Sequence, residues 1–399
     1  MSNSRIHSLD ALRAFALLLG VVFHSALSFV LLPDGSWAVG TLDTSYPLWW
    51  FINYTHDFRM ELFFLLAGFF ACLMLGKRGV AGYLRDRGQR VLLVFAVLLL
   101  PMKFLISILW IEGGLKSGWL QLPPDVAAWP LWRLAWEGFK RETLATTSLT
   151  HLWFLYYLTW VGGIALVARW ALLHVLSDSA RRVGMDSFRR IFGSTLAPVW
   201  LAIPLVPLLA TMTRFSVDTP DKGLPLNLPV LMLYLLFFAA GWLVCLQRDL
   251  LDGLARRWRV LLPLGIAMSF LAWAGDHERV FGQVGPAMAW ACRTAVAMTM
   301  TLSVLGWTGL FVELCARPSR LTRYLSDASY WVYLAHLPVV VALQIWLYEW
   351  NSVWLKLLVI NIATFAMLFT SYQLLVRRTW IGRWLNGHKP PSSPAYRPM

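Results

Sequence analysis

Apolar runs long enough to cross a bilayer recur along this chain at about 9–32, 47–76, 91–111, 152–174, 191–212, 228–247, 260–275, 284–312, 328–348 and 353–376. A span needs roughly 20 apolar residues, and backbone in lipid must satisfy its own hydrogen bonds, so each run reads as helix. The pattern predicts an all-α polytopic membrane protein of about ten transmembrane helices. The 260–275 run is the shortest. The fifth run holds Pro198, Pro204 and Pro207, which predicts a kinked or broken helix. Connections are mostly short; the longest outer loop, 112–150, contains Trp119, Trp129, Trp132 and Trp136. No internal repeat stands out. The expected organisation is one membrane domain, 1–390, and a disordered cytoplasmic tail, 391–399, rich in Pro and Ser.

Polar residues interrupt the apolar runs at few places. The first run, SLDALRAFALLLGVVFHSALSF, puts Asp10, Arg13 and His24 on one stripe. At about 100° per residue, Arg13 lies roughly 60° from Asp10 and His24 roughly 20° from Arg13. His24 is about 16 Å further along than Arg13 at roughly 1.5 Å per residue. Ionisable groups inside a span are costly and mark functional sites facing the bundle interior. A reactive group within the membrane, with charges nearer one face, points to chemistry that joins two compartments. A neutral imidazole there suits a general base acting on a hydroxyl; the plainer reading is a histidine hydrogen-bonded within the bundle. No metal-ligand partner stands at helical spacing from His24, and Asp10, roughly 21 Å away along the helix, is too distant to orient it.

The second run opens YTHDFRMELFFLLAGFF and carries His56, Asp57, Arg59 and Glu61 at the depth of His24. Asp57 and Glu61 are four apart and share a face, so either is expected to position His24 or tune it. Arg59 is a buried cation suited to an anionic acyl group; the competing reading is an ion-pair network that neutralises itself. Further along stand His151 and Trp153 in TSLTHLWFLYYL, and Tyr330, Tyr333 and His336 in SDASYWVYLAHLPVV. Aromatics at span ends are normally interfacial anchors. Lys103 and Arg293 are further intramembrane charges without an evident role.

Composition narrows the class. Of 399 residues, 58% are hydrophobic and 14% charged, which excludes a soluble fold of two or three domains. The net charge is +14, and its placement matters more than its size. With the N-terminus inside, 23 Lys and Arg fall on cytoplasmic segments and seven on outer loops, which predicts both termini cytoplasmic. The basic excess is then a matter of topology, and no soluble basic domain exists to bind nucleic acid. In the first inner loop, GKRGVAGYLRDRGQRVLL, Arg87 and Arg90 stand three apart at the start of the third helix. Such a pair suits the phosphates of a nucleotide-like donor, although basic inner loops also arise from topology alone. The four cysteines lie in or beside spans as packing thiols. They form no disulfide framework or metal spacing, and the first run lacks the exit site of a cleavable signal.

Taken in order, LDALRAFA with His24, the Arg87–Arg90 pair, LWFLYYL and YLAH resemble the membrane acyltransferase type 3 family over almost the whole chain. Within it, HDFRMELFFLLAGFF is similar to the glucan biosynthesis protein C group, membrane succinyltransferases acting on osmoregulated periplasmic glucans. Ala67 stands where many relatives have Ser before the Gly, and Glu61 departs from the group's pattern. The resemblance implies that His24 is the catalytic histidine, Arg13 the first span's required arginine, and Arg87 with Arg90 the donor-side motif. It implies a multi-pass O-acyltransferase of the bacterial inner membrane, with no permanently bound cofactor and no metal. Acyl-CoA, foremost succinyl-CoA, is the expected donor, held by Arg87, Arg90 and Arg13, with Arg59 facing the succinyl carboxylate. A periplasmic glucan hydroxyl is the expected acceptor, membrane lipid the surroundings, and a homodimer is compatible with the pattern. The alternatives are an O-acetyltransferase of the same family acting on another cell-surface glycan, and a transporter whose charges line a substrate path.

Overall fold

The computed structural model describes residues 7–33, 35–40 and 44–386; the tail at 391–399 lies outside the described residues. Every regular element among them is a helix, and one isolated bridge pairs Ser148 with Lys222. Eight helices are long and apolar enough to cross a membrane, or nine if one bent pair counts as a single span.

Helix α1 (His7–Ala26) runs parallel to α12 (Arg320–Trp346). Arg13 donates to the Ser326 hydroxyl at 3.2 Å, and further along both helices His24 meets His336 at 2.9 Å. Helix α2 (Tyr46–Arg87) descends against α1: Arg59 stacks on Phe23, and Phe70 lies under Arg13. It continues through a π-helical turn, Gly88–Leu92, into α3 (Leu93–Ser117). The helical backbone from Tyr46 to Ser117 counts 72 residues, roughly 108 Å at about 1.5 Å per residue, against a hydrocarbon core of about 30 Å. The limbs before and after Gly79 run in opposite directions. Tyr330, early in α12, donates to the Arg90 carbonyl, while Ile106 packs with Leu337, Val341 and Ile345 near its end, so α3 ascends beside α12. Gly79 makes the break: its φ of 65° is a conformation that favours glycine.

After the outer loop, with its amphipathic α4 (Leu131–Arg141), come α5 (Trp153–Val175) and the basic α6 (Asp178–Gly193). The proline-rich run is broken as its composition predicts, into α7 (Ala197–Ala202) and α8 (Leu205–Ala210) with Pro204 capping the second, and the two together lie at 117° to α6. Helix α9 (Leu228–Leu246) packs closely along α2, because Gly68 and Gly241 have no side chain. A Cβ at Gly68 would lie 1.9 Å from the Phe238 carbonyl oxygen, and one at Gly241 1.8 Å from that of Leu65.

Helix α10 (Leu250–Phe281) extends well beyond the 260–275 run on both sides. Its charged ends stay helical because they find partners: Arg257 reaches the carbonyls of Gly253, Ser194 and Phe192, Arg259 pairs with Glu313, and Arg279 with Asp276. It packs against α11 (Pro286–Leu314), and α13 (Val353–Ser371) and α14 (Trp380–Asn386) close the order. Lys103 is buried, donates to Thr147 at 2.6 Å and pairs with Glu142 at the end of α4, tying the outer loop to α3. Arg293 reaches the Leu209 carbonyl and the faces of Phe215 and Trp290.

Candidate active site

Gly20, Phe23 and His24 of α1, His56, Arg59 and Phe63 of α2, His151 in the turn before α5, Phe154 at the start of α5, and Tyr333 and His336 of α12 line one cavity of about 70 Å³. That is room for a few waters or a small acyl group.

His24 is held on several sides. Its Nδ1 lies 2.9 Å from His336 Nε2, and its ring stacks on Trp37 at 5.7 Å and 6°. Gln344 donates to its carbonyl at 3.1 Å and accepts from Trp37 at 2.9 Å. The pairing determines proton positions. His336 Nδ1 lies 2.7 Å from the Tyr333 carbonyl, which only accepts, so Nδ1 carries the proton. In the neutral ring Nε2 is then an acceptor, and His24 Nδ1 must donate to it. The lone pair of His24 is left on Nε2, the atom a general base needs for the cavity's contents.

Arg59 brings a buried cation to the same cavity. Its guanidinium lies 4.3 Å over the Phe23 ring, and its Nη1 would be 3.2 Å from a Cβ at Gly20, so the glycine makes room for it. Nη1 is buried and has no hydrogen-bond partner. A donor open in this way is chemically suited to an anion or a carbonyl oxygen.

The two carboxylates expected beside His24 are elsewhere. Asp57 accepts from the Ser216 hydroxyl in the loop before α9. Glu61 is fully buried, and neither of its oxygens has a partner. Neither residue lines the cavity. The reason is helical phase: His56, Arg59, Met60 and Phe63 form the cavity face of α2, and Asp57 and Glu61 are each one residue, about 100°, past it. A histidine from α12 takes the place beside His24 that a carboxylate was expected to fill.

Arg13 lies 3.3 Å from Asp10, over the Phe70 ring, at the end of α1 away from His24. Arg87 and Arg90 do converge, but on the buried Asp86 carboxylate, at 2.7 and 3.1 Å, with Arg78 at 3.4 Å. Both guanidiniums thus share an internal carboxylate. Three cations on one carboxylate leave an excess of positive charge, and Arg87 Nε is buried without a partner. The cluster connects to the cavity along α12: Tyr330, bonded to the Arg90 carbonyl, stacks on Tyr333 at 6.3 Å and 5°. Outside the spans, Asp221, in the loop that borders the cavity at Thr219, is pushed up from the usual carboxylate range by burial.

His336, His151 and His56, to which the sequence alone assigns no role, line the cavity beside His24. The available signal was a histidine inside each of two aromatic runs, HLWFLYYL and YLAHLPVV. Four histidines line the cavity, yet among the described residues no group of three His, Cys, Asp or Glu is placed to hold a metal ion.

The chain is similar to known proteins over most of its length. Residues 6–376 match the profile of a family described as an acyltransferase domain. The chain is 25% identical over 349 residues to the glucans biosynthesis protein C of Shigella dysenteriae serotype 1, covering 84% of this chain and 82% of that protein. It is 26% identical over 345 residues to the protein of the same name from Escherichia coli strain 536, with the same coverage. No solved structure matches the chain.

Proposed function

The chain belongs to this acyltransferase domain family, and from that premise we propose that it is a membrane O-acyltransferase in which His24 is the general base. The observation that carries the reading is the His24–His336 contact of 2.9 Å, which spends Nδ1 and leaves Nε2 as the basic atom inside the cavity. The proposed donor is acyl-CoA, with succinyl-CoA foremost, and the acceptor a hydroxyl of a periplasmic glucan. The names of the relatives support the glucan, and the open Arg59 Nη1 supports a donor with a carboxylate on its acyl group.

The phosphates of the donor rest against the excess positive charge at Arg87 and Arg90, with Arg13 beside the path, and the pantetheine arm runs inward past Tyr330 and Tyr333. The acceptor hydroxyl enters from the opposite face. His24 Nε2 removes its proton as the oxygen attacks the thioester carbonyl, the C–S bond breaks, and the proton passes to the departing thiolate. No covalent acyl-enzyme is required. Counting the two limbs of the 72-residue helix separately and the bent pair as one gives ten crossings. With the basic segments inside, both termini are cytoplasmic and the bacterial inner membrane is the location. Asp57 and Glu61 have no direct role in this scheme.

Mass spectrometry of periplasmic glucans from a deletion strain, complemented with wild type or His24→Ala, tests the reading. Succinyl groups are expected with wild type and absent with His24→Ala at equal protein levels. Normal modification by His24→Ala would overturn the mechanism. Unmodified glucans in both strains would move the acceptor to another cell-surface glycan.

A further inference from the structure

His151 enters the same cavity with one ring nitrogen unspent. Its Nε2 lies 3.1 Å from the Leu334 carbonyl, which only accepts, so Nε2 carries the proton. In the neutral ring Nδ1 is then an acceptor. That atom is buried and has no hydrogen-bond partner. His336 differs, since both of its nitrogens are engaged. A buried acceptor without a partner is a standing penalty unless something that enters the site relieves it.

The orientation of His151 is imposed from outside the ring. Its own carbonyl accepts from the Tyr333 hydroxyl at 2.9 Å, so α12 holds the residue at both its backbone and its ring. Thr150, immediately before it, has φ of 52°, a conformation costly for a β-branched residue. The Ser148 hydroxyl accepts from the Thr150 amide at 3.1 Å and supports that turn. The ring centroids of His24 and His151 stand 5.0 and 5.1 Å from that of His336, and all three rings line the one cavity. His24 and His151 therefore flank His336 on the lining of one small cavity, each with a ring nitrogen that makes no hydrogen bond within the protein.

We propose that His151 Nδ1 is a subsite for the acceptor substrate: it accepts a hydrogen bond from a second hydroxyl, adjacent to the one that His24 deprotonates. The site then selects compounds with hydroxyls on neighbouring carbons, that is, carbohydrates, over simple alcohols. The inference rests on the acyl-transfer reading above and adds what that reading lacks, a group that recognises the acceptor.

The test uses the purified full-length protein in detergent with succinyl-CoA and methyl β-glucopyranoside, or each of its monodeoxy analogues, as acceptor. For wild type, loss of the hydroxyl beside the acylated one is expected to raise KM about tenfold, the effect of one unmade hydrogen bond. His151→Leu is expected to raise KM for the intact glucoside by a similar factor and to treat that analogue and the glucoside alike. His151→Asn, which keeps a side-chain carbonyl oxygen near the Nδ1 position, is expected to retain the preference. The preference is a ratio within one preparation, so a smaller folded fraction does not move it, and if His151→Leu does not fold the Asn variant decides. Undiminished preference in His151→Leu, or none in His151→Asn, overturns the subsite alone. Transfer by wild type to no glucoside at all overturns the sugar-acylation reading and the subsite with it.

Discussion

His336 touches His24 through one hydrogen bond, and two substitutions separate positioning from packing. His336→Leu fills space but accepts nothing, so His24 Nδ1–H loses its partner and the ring its fixed tautomer. A lost hydrogen bond of about 1–3 kcal/mol corresponds to roughly tenfold to a hundredfold in kcat, with KM for the donor little changed. His336→Gln places a side-chain carbonyl near the old Nε2 and should recover most of the rate. Steady-state kinetics on both variants checks this, and equal losses would reduce His336 to packing. At Arg59 the open Nη1 predicts a difference between donors: Arg59→Ala should slow succinyl transfer more than acetyl transfer, measured with the two acyl-CoA donors side by side. Equal losses would remove its part in donor selection. The candidate residues His24, Arg13 and Arg59 were legible because a charge or imidazole within an apolar run is conspicuous wherever it points. The partner of His24 was not, because Asp57 and Glu61 miss the cavity by one residue of helical phase.

Between elements, the tightest contact is that of α2 with α9, where Gly68 and Gly241 let the backbones touch. Gly241→Val would push a side chain into the Leu65 carbonyl, 1.8 Å from the new Cβ. Overpacking of this kind costs about 1–3 kcal/mol. The expected outcome is a lower unfolding midpoint in detergent and weaker activity, because α2 carries Arg59. Gly163→Ala is the comparison: nothing lies within 4 Å of its Cβ, and a helix-interior Gly→Ala change is worth about 0.5–1 kcal/mol in favour of the helix. Equal midpoints for the two variants would mean that α2 and α9 can separate freely. The chain announced the break at Pro198, Pro204 and Pro207, whereas the limits of α10 followed from the partners of Arg257 and Arg259 on other elements.

For the whole molecule, the two limbs of the 72-residue helix and the bent pair decide the parity of crossings. Ten crossings predict that single cysteines placed at Ser179 in α6 and at Arg383 in α14 label from the same side, and one at Gly138 in α4 from the other. Membrane-impermeant maleimide on right-side-out and inverted vesicles reads this directly once the half-exposed Cys315 is replaced by Ser, since Cys72, Cys245 and Cys292 are buried. Labelling of Ser179→Cys and Gly138→Cys from one side would break the scheme.

The sequence by itself determined the class of protein, the places of its apolar helices and the few charged positions within them. The physical reason is that lipid makes hydropathy a local property: a run of apolar residues spans whatever its neighbours do. Only the tertiary structure decided which of those positions meet. His24 and His336 are 312 residues apart along the chain, and their contact comes from the parallel packing of α1 and α12. His151, from the turn before α5, and Arg59, from α2, reach the same cavity, each with one buried polar atom left open. Helical phase and the partners of buried polar groups are properties of the assembled bundle, and periodicity along one segment does not contain them.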